Sequence, residues 1–292
     1  MANSIALFKQ YIDLLDEVYK NASTTAGLDI SGELVKAGAN AKEILIPKMT
    51  LDGLADYSRN GGYVAGDVKL EMETVTFNFD RGRKFTVDAM DNAETAGVAF
   101  GKLASEFVRT KVVPELDAFR YATYSGISGI GTTTGAALST GADVLAALVA
   151  AQNAMDEAEV PETERELHIT PTLYNLIYSV DTTKSKEVLN SFSRIVKVPQ
   201  TRFYTAIDQY DGTTSSEEAG GFVKDSTSGK NINFMVIHKP AVLQYSKHVV
   251  SKVFSPEENQ DSDGWIFCYR SYGLADVYDN KVKGIYLHKA AT

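Results

Sequence analysis

The stretch DRGRKFTVDAMDNAETAG, residues 80–97, changes character halfway along its length. Its first four residues are polar and include a glycine, which is typical of a turn. Apolar residues alternate with polar ones before this turn, and again after it at Phe85 and Val87. The pattern predicts a β-hairpin over residues 75–88.

A long helix is predicted after the hairpin. Asp91 or Asn92, with Glu94 behind it, suits a helix start, and apolar residues recur at helical spacing to about Tyr124. Such a helix spans about 50 Å. Pro114 has no N–H to donate and its ring crowds the preceding turn, so we expect a bend or break there. Oppositely charged pairs lie at the supportive spacing of three or four residues: Glu106–Arg109, Lys111–Glu115 and Asp117–Arg120.

The residues before the hairpin divide into three segments. Apolar spacings of three and four predict a short amphipathic helix over 4–20, which packs either on its own domain or on a neighbouring subunit. A strand is predicted over 43–49, and the sequence RNGG at 59–62 predicts a turn. Apolar residues then alternate over 68–72 and change phase near Thr74, which predicts a bulge or bend.

The residues after the long helix mix helices and strands without a βαβ rhythm, which predicts an α+β fold. A Gly/Thr/Ser-rich hinge is expected over 126–141. Helices are predicted over 142–158 and 171–177, and strands over 166–169, 203–207, 233–237, 249–254, 265–272 and 284–288.

Charge and composition restrict the function. The 292 residues include 29 Lys and Arg against 38 Asp and Glu, a net charge of −9, whereas proteins that grip nucleic-acid phosphates are usually basic. The single cysteine, Cys268, allows neither an intrachain disulfide nor a cysteine-based metal cluster. No apolar run approaches the roughly 20 residues of a membrane span, and no secretion signal is recognisable, so we expect folding in a cytosol.

Nothing in the sequence points to catalysis. His168, His238, His248 and His288 are far apart in predicted β segments, and we expect them and Cys268 to be structural. The glycine-rich segments match neither a phosphate-binding loop nor a dinucleotide fingerprint. We therefore expect no catalytic residue, metal or cofactor. An enzyme of unrecognised type is the alternative, and it would need a convergent polar pocket.

Other features point to assembly, because an extended hairpin and a long helix expose surface that neighbouring subunits can cover. Residues 80–97, together with EFVRTKVVPELDAFRY (106–121), closely resemble the tailed-bacteriophage major capsid family with the Hong Kong 97-type fold. Weaker matches follow in the expected order: ELHITPTLYNLI (166–177), FSPEENQD (254–261), YRSYGLADVY (269–278) and KGIYLHK (283–289).

The resemblance implies a fold of named parts. They are an N-terminal arm (1–38), an extended loop lying over a neighbouring subunit (39–90), a peripheral domain (91–140) with a spine helix (91–125), an axial domain (141–245), and a last part (246–292). The strands of the last part return to the peripheral domain, and the final strand closes on the axial side.

The resemblance also implies function. Copies would self-assemble in the bacterial host cytoplasm into hexamers and pentamers of an icosahedral head, the virion capsid, which encloses double-stranded DNA without sequence-specific binding and involves no membrane. Because only a short helix precedes the loop, a separate scaffolding protein is implied, with a portal and room for a decoration protein. An encapsulin-like nanocompartment shares the fold and is the nearest alternative.

The charged residues of the hairpin and long helix allow two interpretations. They are either solvated turn and cap residues, worth tenths of a kcal/mol each, or charge-assisted contacts between subunits. The resemblance favours the second interpretation. The candidate inter-subunit residues are Arg81, Arg83, Asp88, Asp91, Glu94, Arg109, Glu115, Asp117 and Arg120.

Overall fold

The computed structural model describes residues 22–29, 36–37, 43–94, 102–135, 138–180 and 182–291. The predicted helix over 4–20 lies outside this part of the chain. The strands are β1 (Lys36–Ala37), β2 (Glu43–Leu51), β3 (Val68–Thr76), β4 (Phe79–Asp88), β5 (Gly131–Thr134), β6 (Arg165–Ile169), β7 (Arg194–Lys197), β8 (Ile207–Gln209), β9 (Phe222–Lys224), β10 (Ile232–His238), β11 (Val242–Phe254), β12 (Gly264–Val277) and β13 (Ile285–Lys289).

The helices are α1 (Ala89–Glu94), α2 (Leu103–Phe107), α3 (Val113–Gly126), α4 (Gly141–Asp156), α5 (Pro171–Ile177) and α6 (Thr182–Asn190). The start of α4 is fixed by a capping box, in which the Thr140 hydroxyl accepts from the Asp143 N–H and the Asp143 carboxylate accepts from the Thr140 N–H. The mixture of helices and strands confirms the predicted α+β class.

A five-stranded sheet with the order β5-β13-β10-β6-β7 forms the centre of the molecule. Its middle strand, β10, is apolar on both faces and therefore buried on both. Phe234 and Val236 pack towards α4 and α5, whereas Met235 and Ile237 pack towards α3. The sheet is thus a layer between two sets of helices, which accounts for the unbroken apolar sequence of β10.

A second sheet has the order β11-β12-β4 and packs on the long helix through aromatic side chains. The ring of Phe107 lies 4.8 Å from Phe85 and 5.9 Å from Tyr269. Residues 80–83 lie inside β4 and pair with β12, so the predicted turn there, and with it the hairpin over 75–88, is wrong. A side chain at Gly82 would place its Cβ 2.7 Å from the Tyr269 carbonyl oxygen. The glycine serves close strand approach rather than chain reversal.

The extended hairpin is formed instead by β2 and β3, which pair antiparallel without a register shift from Glu43↔Thr76 to Leu51↔Val68. The bulge predicted near Thr74 is therefore absent from this pair. The alternation of apolar and polar residues shifts by one position between β3 and β4, because the two strands belong to different sheets. The turn at 59–62 is confirmed, with the Gly62 N–H donating to the Ser58 carbonyl and Gly62 at φ 76°.

The long helix is helical from 103 to 126, but a π-helical turn, Val108–Val112, separates α2 from α3. In this turn the Val113 N–H donates to Val108, five residues back. The predicted break at Pro114 is therefore absent, because the helix continues through this residue to Gly126. The α-helical hydrogen bonding is instead replaced by π-helical bonding in the turn just before Pro114. The helix predicted from Asp91 begins at Ala89. Residues 95–101, which would join α1 to α2, lie outside the described part.

Several smaller expectations were also wrong. The strand predicted over 203–207 is replaced by a 3₁₀ turn, Gln200–Arg202, an isolated bridge at Tyr204 and the later strand β8. The supposed hinge contains β5, which pairs with β13. Helix α6 and strand β7 were not predicted. Each depends on pairing or packing with residues distant in sequence.

Candidate assembly surface

One face of the β2–β3 hairpin is apolar and exposed. Strand alternation and the hairpin register bring apolar side chains of both strands to the same face. We call this face the apolar strip, and it comprises Leu45, Pro47, Met49, Leu51, Val68, Leu70 and Met72. Between 56% and 63% of the surface of Met49, Leu51, Val68, Leu70 and Met72 is exposed. The tip of the hairpin adds the exposed residues Leu54, Tyr57, Tyr63 and Val64.

The opposite face of the hairpin is polar and holds it to the rest of the chain. Lys48 Nζ lies 3.0 Å from Asp279 Oδ2, and Lys69 pairs with Glu71 along β3. At the base, Ile44 and Val75 are buried in a cluster with Leu243 and Leu274. The hairpin is therefore anchored at its base and on its polar face, whereas the apolar strip stays open.

Arg81 and Arg83 bind groups within their own chain. Arg81 donates through Nε to Glu115 Oε1 at 2.7 Å and through Nη2 to the Tyr210 carbonyl at 2.7 Å. Arg83 donates to the Glu218 carbonyl at 2.8 Å. The two arginines thus connect β4 to the loop that joins β8 and β9. Within the single chain, Arg81 and Glu115 therefore hold this loop, and their contact with a neighbouring subunit stays a prediction.

Asp117 and Arg120 are buried inside the subunit, which overturns their assignment to an inter-subunit surface. Asp117 is fully buried, and its carboxylate accepts hydrogen bonds from residues 23–25 and from Arg202. Arg120 donates to Thr25 Oγ1 at 2.9 Å and to Asp29 at 3.2 Å. These charges hold segment 22–29 against α3.

The remaining candidate residues are closer to the surface. Arg109 lies 2.5 Å from Glu106, which confirms that predicted helix pair. The predicted pairs Lys111–Glu115 and Asp117–Arg120 were wrong, since Glu115 pairs with Arg81, Asp117 with Arg202 and Arg120 with Asp29. Asp88 is exposed and accepts from the Met90 N–H at 2.9 Å, Asp91 is half-buried, and the backbone of Glu94 ends α1.

A buried chain of polar groups continues from this anchor into the five-stranded sheet. The Tyr121 hydroxyl donates to Thr24 Oγ1 at 3.0 Å and lies 2.7 Å from His168 Nδ1. Burial raises the pKa of Tyr121 and lowers the pKa of His168. Tyr124 donates to Gln244 at 2.7 Å. Because all five side chains are buried, they suit a structural role.

The described residues offer little for ligand chemistry. Nowhere among them do three or more His, Cys, Asp or Glu side chains gather at metal-binding distance. A cavity of about 10 Å³ beside Phe79, Phe119 and Ser271 has room for one water molecule. In the part of the chain that the structure describes, every helix is too short or too polar to cross a bilayer.

Comparison with known proteins finds similarity in structure alone. No family model matches the chain, and no curated protein matches it significantly in sequence. The mature capsid of bacteriophage PhiM1 aligns with a TM-score of 0.67 at 12% identity, covering 98% of this chain and 92% of that one. The capsid of cyanophage P-SCSP1u aligns with a TM-score of 0.64 at 14% identity, covering 98% of this chain and 93% of that one. A virus-like particle from Pyrococcus furiosus aligns with a TM-score of 0.51 at 10% identity, covering 85% of this chain and 86% of that one.

These alignments extend over nearly the whole of both phage proteins, so the likeness concerns the complete architecture and not one shared motif. The hairpin, the long helix and the two sheets described above are all included in it. The chain therefore has the Hong Kong 97-type fold that these bacteriophage capsid structures share.

Proposed function

We propose that this chain is the major capsid protein of a tailed bacteriophage, whose copies assemble into the hexamers and pentamers of an icosahedral head enclosing double-stranded DNA. The observation that carries the proposal is the apolar strip. It is large and contiguous, it lies on an arm that extends from the subunit, and it is uncovered in the single chain.

Burial of the strip supplies the driving force for assembly. Fully burying one Leu, Val or Met side chain stabilises by about 1.5–3 kcal/mol, so five half-exposed side chains contribute several kcal/mol per contact. A patch on one side of the subunit that meets a different patch on the next copy is a heterologous contact. Such contacts close into rings when the rotation between copies allows it. Hexamers and pentamers are rings of this kind.

The proposal includes partners. A separate scaffolding protein would direct the curvature, a portal would occupy one vertex, and decoration proteins would bind outside. Assembly would take place in the cytoplasm of the bacterial host. The net charge of −9 suits a container whose wall does not hold its DNA tightly. Since the subunit's buried charged groups serve packing, we propose a structural role without catalysis.

A nanocompartment enclosing an enzyme is the alternative, and the structural neighbours include a virus-like particle from Pyrococcus furiosus. Both phage capsids align with higher TM-scores and over more of the chain, which supports the bacteriophage assignment. The contents of the particle discriminate the two: a head protects DNA of genome length from nuclease, whereas a compartment protects a protein.

The experiment is expression of the chain with the scaffolding gene from its own gene cluster, followed by sedimentation and electron microscopy. Wild type should give closed shells. Leu51→Ser with Leu70→Ser should abolish shells while the urea midpoint of the subunit stays unchanged, because both side chains are exposed in the single chain. The matched control is Val149→Ser, an exposed apolar residue on α4, which should leave shells intact. Failure of wild type to form any shell would refute the proposal.

A further inference from the structure

The β2–β3 hairpin is partly covered by the rest of the chain, here called the body, only near its base. Residues 49–72, apart from Gly62 in the tip turn, are exposed, whereas Lys48 and Glu73 are half-buried. These two side chains lie on the same, polar face of the hairpin, because Lys48 pairs with Glu71, two residues from Glu73. The orientation of the long exposed part therefore depends on the contacts made at this point.

The junction between β3 and β4 has the geometry of a hinge. Asn78 donates through Nδ2 to the Ala275 carbonyl at 2.8 Å and accepts from the Ala275 N–H at 3.1 Å, so its side chain fixes the chain at this residue. Strand β3 and strand β4 belong to different sheets, and no shared ladder holds them in one direction. Hinges are often residues at the end of an element, as Asn78 is here.

Charges beyond this hinge act on the hairpin in opposite directions. Lys48 Nζ lies 3.0 Å from Asp279 Oδ2 and draws the hairpin to the 3₁₀ turn Asp279–Gly284 of the body. Partial burial raises the pKa of the Glu73 carboxyl, and the charges of Asp279 and Asp276 raise it further. The ionised form of Glu73 is therefore repelled by the same part of the body that attracts Lys48.

The charged and titratable groups around the base come from both strands of the hairpin and from two elements of the body. They are Lys48 on β2, Glu71 and Glu73 on β3, Tyr245, Lys247 and His248 on β11, and Tyr272, Asp276, Tyr278, Asp279 and Lys281 on β12 and the residues after it. Phenols stay neutral and lysines charged between about pH 5 and 8, so only the carboxyl groups and His248 titrate there. Burial raises the pKa of Asp276 as well, which adds to the effect of Glu73.

We propose that a charge latch at the base sets the orientation of the hairpin in the free subunit: the Lys48–Asp279 ion pair holds the hairpin against the body, and the ionised Glu73 carboxylate opposes it. Proton uptake by Glu73 removes the opposing charge. Because the pKa of Glu73 is raised in the held orientation, that orientation binds the proton more readily, and a lower pH favours it. The latch belongs to the single chain, so its test needs no shell and its failure leaves the proposed function standing.

The distance between the hairpin tip and the body measures the orientation. In a Cys268→Ser background, spin labels are attached at Leu54→Cys in the tip and Val149→Cys on α4, two exposed positions. Pulsed electron paramagnetic resonance gives the distance distribution of the doubly labelled chain diluted with unlabelled chain. Residues 43–51 span about 27 Å, so a rotation of about 10° at the base moves their far end by about 5 Å.

Lys48→Gln should broaden this distribution, whereas Glu73→Gln should narrow it. Lys48→Asp should also broaden it, and Asp279→Lys in the same chain should restore the width of the unmodified latch. Lys69→Gln is the matched control, because it removes the same charge from the hairpin but Lys69 pairs with Glu71 within β3. An unchanged distribution in Lys48→Gln, equal broadening in Lys48→Gln and Lys69→Gln, or broadening in Glu73→Gln would overturn the latch.

Titration tests the control by protons. Lowering the pH from about 7.5 to about 5 should narrow the distribution when Glu73 is present and change it little in Glu73→Gln. A second pair of labels, at Val149→Cys and Val249→Cys, lies entirely outside the hairpin and should give the same distance at both pH values. Equal narrowing with and without Glu73, or a matching shift in the second pair, would show that Glu73 does not control the latch.

Discussion

Replacing Asp117 with asparagine should destabilise the subunit more than any surface charge change. The carboxylate of Asp117 accepts six hydrogen bonds. Oδ1 receives Ser23 Oγ, the Thr25 N–H and Thr25 Oγ1, and Oδ2 receives the Thr24 N–H, Thr24 Oγ1 and Arg202 Nη1. Each oxygen thus faces three donors. An amide has the same shape, but its NH₂ group cannot accept.

The magnitude follows from this geometry. Whichever way the asparagine is oriented, three donors lose their acceptor and face an NH₂ group, and net losses of about 0.5–1.5 kcal/mol per hydrogen bond give roughly 3 kcal/mol. A second consideration is the buried ion pair between Asp117 and Arg202, whose atoms lie 2.9 Å apart. Removing the charge of one partner leaves the other buried and unpaired, which costs about 3–5 kcal/mol. We therefore expect Asp117→Asn to lower the free energy of unfolding by about 3–5 kcal/mol. That is a large fraction of the stability of an ordinary domain.

Urea unfolding followed by circular dichroism measures this loss. Asp80→Asn is the matched control, because Asp80 also pairs with an arginine, at 2.7 Å from Arg270, but on the surface. It should cost about 1 kcal/mol or less. Limited proteolysis should in addition release the segment around 22–29 in Asp117→Asn alone. A loss below about 1 kcal/mol for Asp117→Asn would refute the view that these hydrogen bonds anchor the segment.

Arg81→Glu should lower the free energy of unfolding by about 2 kcal/mol, since it removes charge-assisted bonds and sets two carboxylates together at Glu115; an unchanged urea midpoint and unchanged proteolysis of loop 210–221 would contradict this. Burial lowers the pKa of His168 in the folded chain. As the pH falls, the unfolded chain therefore binds a proton at this residue before the folded chain does. The contribution of His168 to the free energy of unfolding should be constant above about pH 6.5 and decrease below it. His168→Gln should flatten this fall in urea titrations between pH 7.5 and 5.5, and a slope equal to that of wild type would exclude His168 as its source. Residues 50–66 should adopt different orientations in hexamers and pentamers, because one exposed tip must fit both rings; superposing the independent copies of one icosahedral map tests this.

The sequence predicts well those elements whose pattern is complete within a few residues. The buried strand at 233–237 and the helix beginning at Pro171 appear close to the expected positions. The turn at 59–62 also needs only its own glycines. The apolar strip of the hairpin could be predicted only in part from the sequence. Alternation at 68–72 marked β3. Strand β2 instead has apolar residues on both faces, Ile44 and Ile46 on one and Leu45 and Pro47 on the other, so its exposed apolar face does not stand out in the sequence.

The failures share one physical cause, which is that partners come from distant parts of the chain. Gly82 resembles a turn glycine until β12 is placed beside it, where the nearest atom is the Tyr269 carbonyl oxygen. Asp117 and Arg120 have the spacing of a helix-surface pair, and charged residues are seldom fully buried. Their burial depends on Thr24, Thr25 and Arg202, none of which carries a local signal.

The distribution of these interactions also relates stability to assembly. The buried polar network joins segment 22–29, α3 and the five-stranded sheet, and a buried charge without its partner is costly, so the network disfavours alternative packings of these parts. The exposed hairpin strip has no such constraint within the single chain as described. A shell built from one sequence needs both properties. Its subunits must keep the relative positions of their core elements, while the surfaces that meet neighbours must adjust between five-fold and six-fold rings.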